Sequence, residues 1–266
     1  MSLLSGRGVP VLMYHWVHPD LGEKLRLYGV TPECFGRQIR RLRAAGYGSA
    51  TFPDLLAHIA GQKTLGPKRI VITLDDGYRD NLEYAAPILE EAGFTATIFL
   101  VTDRAGGVNE WDLKHGDRPR PLLDWKEVRR LDGGVFRFEP HSRTHPELTI
   151  VDKERAREEI AGAKKTMEDE LGRRVSVFSY PHGAFHLGLE ALVREAGYDA
   201  AVTDLQGLNR RGTDPFRIRR TMITSRDFLA PYAFKVVTGF GVMGLGREMV
   251  RRAIRRPAAW EHAGFA

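Results

Sequence analysis

The chain of 266 residues contains a single cysteine, Cys34. One cysteine excludes an intrachain disulfide and a metal cluster built from several thiolates. Disulfides are characteristic of oxidising compartments, so this composition is consistent with a protein of a reducing compartment.

Long apolar runs are also missing from the chain. No stretch of about 18 consecutive apolar residues occurs, so the sequence predicts no membrane-spanning helix. The opening residues, Met-Ser-Leu-Leu-Ser-Gly-Arg-Gly-Val-Pro, are too short and too broken a segment to predict a signal peptide. The expected location is the cytoplasm, with a peripheral position at the inner face of the membrane as the alternative.

The net charge is only +6, and much of the excess lies in residues 247–256. No motif of a nucleic-acid reader accompanies it, so a nucleic-acid partner is not expected. Apolar residues interleave with arginines near the C-terminus, which predicts peripheral contact with an anionic membrane; a solvated terminal helix is the alternative. We predict a globular domain over residues 1–230 and a basic C-terminal tail over residues 231–266.

What the chain does contain is a series of short β-prone runs separated by segments of helical periodicity. The length fits one large α/β domain or two small ones. Alternation of this kind predicts βα units and a parallel sheet, either open or closed into a barrel. The predicted strands cover residues 9–15, 69–74, 95–101, 135–139, 175–178, 198–203 and 216–223. A long polar insertion, residues 102–121, interrupts the series.

The run at residues 69–74 ends at two adjacent carboxylates, Asp75 and Asp76, followed by Gly77. Neighbouring aspartates repel each other, so a fold that places both at a strand end usually supplies a cation or a proton for them to share. The alternative is that Asp75 caps the next helix and Asp76 is solvated.

Two further polar clusters follow predicted strands: His141 with His145, and the segment 180–182 (Tyr-Pro-His). The carboxyl ends of parallel strands share one face of a barrel, so these clusters should converge on Asp75 and Asp76. Two histidines and one carboxylate suit Zn²⁺, and also Fe²⁺, Co²⁺, Ni²⁺ or Mn²⁺. The alternative is a pair of surface histidines at chance spacing.

Metal-assisted hydrolysis is the chemistry that such a site would support. A bound ion lowers the pKa of its water toward neutrality and polarises a carbonyl group. A second carboxylate can then accept the proton of the water, and a backbone N–H near Pro181 can help to hold the oxyanion. An amide leaving group would also require a general acid.

Three motifs resemble those of the polysaccharide deacetylase superfamily, also called the NodB-homology domain. Residues 73–77 (Thr-Leu-Asp-Asp-Gly) resemble its Thr-Phe-Asp-Asp-Gly motif. Residues 141–146 (His-Ser-Arg-Thr-His-Pro) resemble its His-Ser/Thr-x-x-His-Pro motif, and residues 179–183 (Ser-Tyr-Pro-His-Gly) resemble Arg-x-Pro-Tyr-Gly. Residues 12–17 resemble the Leu-x-Tyr-His-x-Val start of one branch of these carbohydrate esterases.

The resemblance implies an irregular (β/α)₇ barrel that hydrolyses an N-acetyl group on a sugar and releases acetate. It assigns Asp75 as the general base. The metal, with Zn²⁺ favoured, would be bound by Asp76, His141 and His145. Tyr180, Pro181 and His182 would form the oxyanion and substrate region.

The chain departs from the family pattern at two functional positions. Ser179 replaces the arginine that tethers the base, and Arg220 is a candidate substitute, with an ordinary surface arginine as the alternative. The late Leu-x-His acid is absent, so His15 is assigned as the general acid, with His182 as the second candidate and a core histidine as the alternative reading.

The expected substrate is an N-acetylated polysaccharide, oligosaccharide or lipid-linked glycan precursor. A small non-sugar amide, or a catalytically weakened carbohydrate-binding protein, are the alternatives. Three aromatic side chains are candidates for stacking on a sugar ring or, alternatively, for the core: Trp111, Trp125 and Tyr180.

Overall fold

The computed structural model describes residues 8–113, 116 and 118–241, and its centre is a set of parallel strands. The seven strands of the barrel are β1 Val11–Tyr14, β2 Arg69–Leu74, β3 Ala96–Leu100, β4 Phe136–Pro140, β5 Val177–Ser179, β6 Ala200–Val202 and β7 Thr221–Met222. Five of them lie in one sheet in the order β7-β1-β2-β3-β4, and β5 pairs with β6. β4 lies beside β5, and a bridge from Val202 to Ile218 joins β6 to the segment before β7. Three shorter strands lie outside this series: Gly48–Ser49 pairs with β2 as the sixth strand of the sheet, and Trp16–Val17 pairs with Gly29–Val30.

Helices connect these strands as the alternating sequence pattern predicts. Thr31 and Thr51 cap the first two helices with their side chains, and a proline follows each cap within the first two helical positions. The irregular (β/α)₇ barrel is thereby confirmed. The helices are α1 Pro32–Ala44, α2 Phe52–Ile59, α3 Ala86–Ala92, α4 Glu110–Leu113, α5 Trp125–Leu131, α6 Lys153–Leu171, α7 Leu187–Glu195 and α8 Leu229–Thr238.

Apolar strand residues face both the barrel interior and the surrounding helices. Strand residues Val11, Val71 and Phe99 belong to one buried cluster, which Phe52 of α2 joins by an edge contact with Phe99 at 5.8 Å. A larger cluster lies between the strands and helices α1, α3, α6 and α7. Burial of strands on both faces explains why they read as nearly continuous apolar runs.

Helix α8 spans the predicted domain boundary at residue 230. Its Tyr232 and Val236 side chains belong to the larger core cluster. The rest of the predicted tail, residues 242–266, lies outside the described residues. Among the described helices, none is long and apolar enough to cross a membrane.

The insertion at residues 102–121 begins with a 3₁₀ turn at Thr102–Arg104 and contains α4. Residues 114, 115 and 117 of this segment lie outside the described residues. Asn109 fixes the segment internally, because its side chain accepts a hydrogen bond from the Arg120 backbone at 2.6 Å and donates one to Asp112 at 3.0 Å. The predicted polar insertion therefore folds against the barrel.

Candidate active site

Strand register brings the polar motifs to one end of the barrel. Tyr14 pairs with Leu74, and Leu74 pairs with Ile98, so β1, β2 and β3 run side by side toward this end. Because the strands are parallel, the residues that follow them meet at their carboxyl edge. His15, Asp75, Asp76 and His141 are such residues.

The turn after β2 separates the two adjacent aspartates. The Asp75 N–H still donates to the Tyr14 carbonyl oxygen at 2.9 Å, which continues the strand ladder. Asp76 then adopts φ 75°, a left-handed conformation that turns the chain out of the strand. Gly77 follows at φ 82°, where a Cβ atom would lie 2.3 Å from Leu100 Cδ1. Glycine adopts this left-handed conformation without strain, and any side chain here would also force the end of the Leu100 side chain to move.

Asp76, His141 and His145 form one compact, buried cluster. Asp76 Oδ1 lies 3.5 Å from His141 Nε2 and 3.4 Å from His145 Nε2. The three possible ligand atoms all lie within 4.8 Å of one another. A carboxylate oxygen and two imidazole nitrogens at this spacing could hold a divalent metal ion.

The electrostatics of the cluster keep Asp76 and His141 in the forms that bind a cation. Burial raises the pKa of Asp76, but the hydrogen bond and charge of His145 outweigh burial and hold that pKa well below its usual range. Burial lowers the pKa of His141 to about 4, so its imidazole is neutral at pH 7. An ionised carboxylate and a neutral imidazole are the protonation states that metal ligation requires.

His141 and His145 are held by different neighbours. His141 Nδ1 lies 2.9 Å from the Ser179 carbonyl oxygen, so Nδ1 donates and Nε2 faces Asp76 with its lone pair. His145 has φ 63°, and its backbone N–H donates to Ser142 Oγ at 3.0 Å. The Trp111 ring stacks on the His145 ring, with centroids 4.6 Å apart. The histidine pair therefore lies in a non-helical loop.

Arg220 forms a buried ion pair with Asp75. Its Nη1 lies 2.6 Å from Asp75 Oδ1, and both side chains are almost completely buried. The guanidinium group also donates to the Thr203 carbonyl oxygen at 3.1 Å and to Ser179 Oγ at 3.2 Å. Ser179, which replaces the arginine of the family motif, thus contacts an arginine that comes from the segment before β7.

The remaining oxygen of Asp75 faces the cluster. Asp75 Oδ2 lies 4.0 Å from His141 Nε2, whereas Oδ1 is engaged by Arg220. The two oxygens of one carboxylate therefore have different environments, one paired with a fixed cation and the other open toward the metal ligands.

His15 follows β1 and lies at the same end of the barrel. After His145, His15 is a further electrostatic contributor to the low pKa of Asp76. Its Nδ1 is buried and has no hydrogen-bond partner among the described residues. The Tyr28 ring meets the His15 ring edge-on at 5.1 Å.

The segment after β5 contributes His182, whereas the Tyr180 ring turns into the core. His182 adopts φ 58°, and its ring lies 4.7 Å from that of His145. Tyr180 is fully buried against Phe185, and burial raises the pKa of its hydroxyl well above the usual value. The Tyr180 ring is therefore inaccessible to a sugar, which favours the core alternative for that side chain.

The other aromatic candidates also pack against protein. Trp125 is half-buried against the larger core cluster, and Trp111 is buried against His145. Tyr28, which sequence analysis did not single out, is 40% exposed beside His15. Its position in a loop without periodicity provided no signal that could have identified it.

The polysaccharide deacetylase family model matches residues 62–201 of the chain. This span covers more than half of the 266 residues. It includes the Asp75–Asp76 turn, both histidines of the cluster and the 180–182 segment. The chain therefore belongs to the polysaccharide deacetylase family, which confirms the resemblance found in the motifs.

Individual relatives agree with the family assignment. The Bacillus subtilis protein YxkH, assigned to the polysaccharide deacetylases, is 26% identical over 216 residues, covering 81% of this chain and 71% of that protein. The poly-β-1,6-N-acetyl-D-glucosamine N-deacetylase of Staphylococcus epidermidis is 23% identical, covering 77% of this chain and 72% of its own length. The Streptococcus pyogenes deacetylase PplD superposes with a TM-score of 0.74 at 19% identity, covering 87% of this chain and 99% of that one.

Proposed function

We propose that the protein is a metal-dependent hydrolase that removes N-acetyl groups from a carbohydrate. The observation that carries the proposal is the placement of Asp75 Oδ2 beside the cluster of Asp76, His141 and His145 while Arg220 engages Oδ1. A base, a set of metal ligands and a residue that orients the base are the parts that activate a water for amide hydrolysis, and a general acid completes the set.

The cluster fits a divalent ion, and Zn²⁺ is the ion we favour, with Co²⁺, Ni²⁺, Fe²⁺ and Mn²⁺ as alternatives. Two imidazole nitrogens and one carboxylate oxygen are donors that suit these metals. When bound, the ion would lower the pKa of a coordinated water and polarise the carbonyl group of the substrate.

The protein residues supply the proton transfers. Asp75 accepts the proton of the attacking water through Oδ2, while Arg220 holds Oδ1 and keeps the carboxylate oriented. His15, which lies at the same end of the barrel, delivers a proton to the leaving amine. A backbone N–H near Pro181 and His182 contributes to oxyanion binding, because it can donate a hydrogen bond to the carbonyl oxygen as negative charge develops there.

The substrate class follows from the family and its relatives. The Staphylococcus epidermidis relative acts on poly-β-1,6-N-acetyl-D-glucosamine, and we propose an N-acetylated glycan, as a polymer, an oligosaccharide or a lipid-linked precursor, for this chain. Acetate release from a panel of N-acetylated oligosaccharides tests the proposal, with the Asp75→Asn variant as the matched control. Turnover of a simple acetamide at a rate equal to that of the sugars would instead support the small-amide alternative.

A catalytically weakened carbohydrate-binding protein is the second candidate, because Ser179 replaces the family arginine. The Arg220–Asp75 ion pair supports the enzyme over this candidate, since the base has a cationic partner despite the replacement. Sugar binding without acetate release in the presence of Zn²⁺ or Co²⁺ would favour the binding protein.

We also propose that residues beyond 241 bring the enzyme to the inner face of the membrane. The support is the basic and apolar composition of residues 242–266. Co-sedimentation with anionic vesicles compares the full chain with a chain ending at residue 241, which preserves α8. Equal binding by the two would remove the proposal, because residues beyond 241 would then contribute nothing to vesicle binding.

A further inference from the structure

We propose that Glu159 of α6 is a positioning residue that holds the histidine loop in its metal-binding geometry. The inference rests on the proposed metal site. Glu159 contacts neither imidazole and acts on the residues between them, through backbone hydrogen bonds rather than through contact with the ion.

The loop that carries His141 and His145 has a backbone that needs restraint. Ser142 adopts φ 65° and His145 adopts φ 63°. Each left-handed residue other than glycine costs roughly 1 kcal/mol or more, so surrounding contacts must hold the loop in place. Without them, the two Nε2 atoms would not stay within reach of Asp76 Oδ1.

Glu159 supplies such contacts from the buried face of α6. Its Oε2 accepts the backbone N–H groups of Arg143 and Thr144, each at 2.8 Å. Its Oε1 accepts the Thr144 hydroxyl at 2.6 Å and pairs with Arg155 at 2.6 Å. One carboxylate therefore engages both peptide groups midway between the two histidines.

The position of Glu159 in its helix supports a specific role. It lies on the buried stripe of α6 and is 0% exposed, between Ala156 and Ile160. Burial of a carboxylate on an apolar face is costly unless hydrogen bonds and an opposite charge compensate it. Glu159 has both kinds of compensation, and all of its uncharged donors come from the histidine loop.

The opposite side of the loop is held separately. Thr102 N–H donates to the Ser142 carbonyl oxygen at 3.1 Å, and Asp103 N–H donates to the Arg143 carbonyl oxygen at 2.9 Å. Glu159 thus binds the N–H side of the loop, while the 3₁₀ turn after β3 binds its carbonyl side. Loss of the carboxylate frees one side only, so the fold should survive while the histidines lose their fixed spacing.

The test compares three variants. Glu159→Ala removes all four contacts, and Glu159→Gln keeps one acceptor oxygen but loses the charge. Glu168→Gln is the control on the same helix, because Glu168 also accepts a backbone N–H, that of Val175 at 3.0 Å, and pairs with Lys164 at 2.8 Å, away from the histidines. The measurements are the Zn²⁺ dissociation constant by chelator competition, the Co²⁺ absorption spectrum and the thermal midpoint of the metal-free protein.

We expect Glu159→Ala to raise the Zn²⁺ dissociation constant about 10- to 100-fold, the range found when a partner of a metal ligand is removed. Glu159→Gln should give a smaller increase and an altered Co²⁺ spectrum. Glu168→Gln should leave the Zn²⁺ dissociation constant and the Co²⁺ spectrum unchanged, even if its thermal midpoint falls. A lower thermal midpoint with an unchanged dissociation constant in both Glu159 variants would overturn the inference but leave the proposed function intact. Absence of Zn²⁺ binding by the unaltered chain would overturn both.

Discussion

Asp75 and Asp76 are adjacent in the chain, yet the structure holds them in two different ways. Asp75 ends a strand ladder and is fixed by a side chain from the segment before β7, Arg220, 145 residues away. Asp76 lies in a left-handed turn and faces two histidines whose loop is fixed mainly through its backbone. After the roles proposed for them, we call these the base half and the metal half of the site.

The difference shows where each half is vulnerable. The base half depends on one buried ion pair, and removal of one partner leaves an uncompensated charge that typically costs about 3–5 kcal/mol. The metal half depends on several hydrogen bonds to one loop, each worth about 1 kcal/mol. We therefore expect a single substitution in the ion pair to cause a large loss of stability. A single substitution among the hydrogen bonds that hold the histidine loop should cause a smaller loss.

Loss of a metal ligand should have the largest effect. His141→Ala removes one of three ligands, and we expect turnover to fall by about 10⁴-fold or more, because the ion contributes several kcal/mol to transition-state stabilisation. Chelation should inactivate the unaltered chain to the same degree, with recovery on added Zn²⁺. Acetate release measures both, and chelator-resistant activity with no bound metal would contradict the assignment of the metal half.

Removal of the base should come next. Asp75→Asn should lower kcat by about 10²- to 10⁴-fold, the usual contribution of general base catalysis, because the amide cannot accept the proton. The Zn²⁺ dissociation constant should stay close to that of the unaltered chain, since Asp75 is outside the three-ligand cluster. A large loss of metal affinity in this variant would show that Asp75 also contributes to metal binding, so the two halves would not be separate.

Replacement of the arginine should affect both activity and folding. Arg220→Met leaves the Asp75 carboxylate buried without its cation, so we expect a loss of about 3 kcal/mol in the free energy of unfolding and a fall in kcat of about 10- to 100-fold. Urea unfolding and acetate release measure the two effects. The double variant Asp75→Asn, Arg220→Met should recover part of the lost stability, and additive losses would argue against direct coupling of the pair.

The smallest expected effect concerns Asp80, which follows the turn but belongs to neither half. Its Oδ1 is buried without a partner among the described residues, and burial raises the pKa of this carboxyl to about 7. A folded-state pKa above the unfolded value of about 4 stabilises the fold at low pH, and this contribution is lost as pH rises toward 7. We therefore compare the free energy of unfolding of Asp80→Asn with that of the unaltered chain. The difference in favour of the variant should be on the order of 2 kcal/mol larger at pH 8 than at pH 4.

Urea unfolding of both proteins at the two pH values checks this expectation. Because Asp80 contacts no member of the cluster, the Zn²⁺ dissociation constant of the variant serves as the control and should not change. A stability difference that is the same at pH 4 and pH 8 would contradict the assigned titration.

Local sequence patterns were enough to predict the barrel and the members of the metal half. Alternating apolar runs predict strands, and parallel strands predict a shared carboxyl edge, so the convergence of Asp76, His141 and His145 could be expected from their places after two of the predicted strands. The departure at Ser179 also predicted a missing tether and drew attention to Arg220.

Contacts between distant segments could not be predicted in the same way. That Arg220 reaches Asp75, that Trp111 covers His145 and that Tyr180 turns into the core all depend on how the strands close into a barrel. Glu159 provided no signal, because one glutamate in a charged helix resembles any other until the helix docks.

The sequence by itself determined which residues end the strands, since hydrophobic periodicity and turn residues act over a few neighbours. Only the tertiary structure decided what holds those residues in place. The reason is that burial, ion pairing and ring stacking depend on three-dimensional distance, and the partners of Asp75 and His145 come from segments far along the chain.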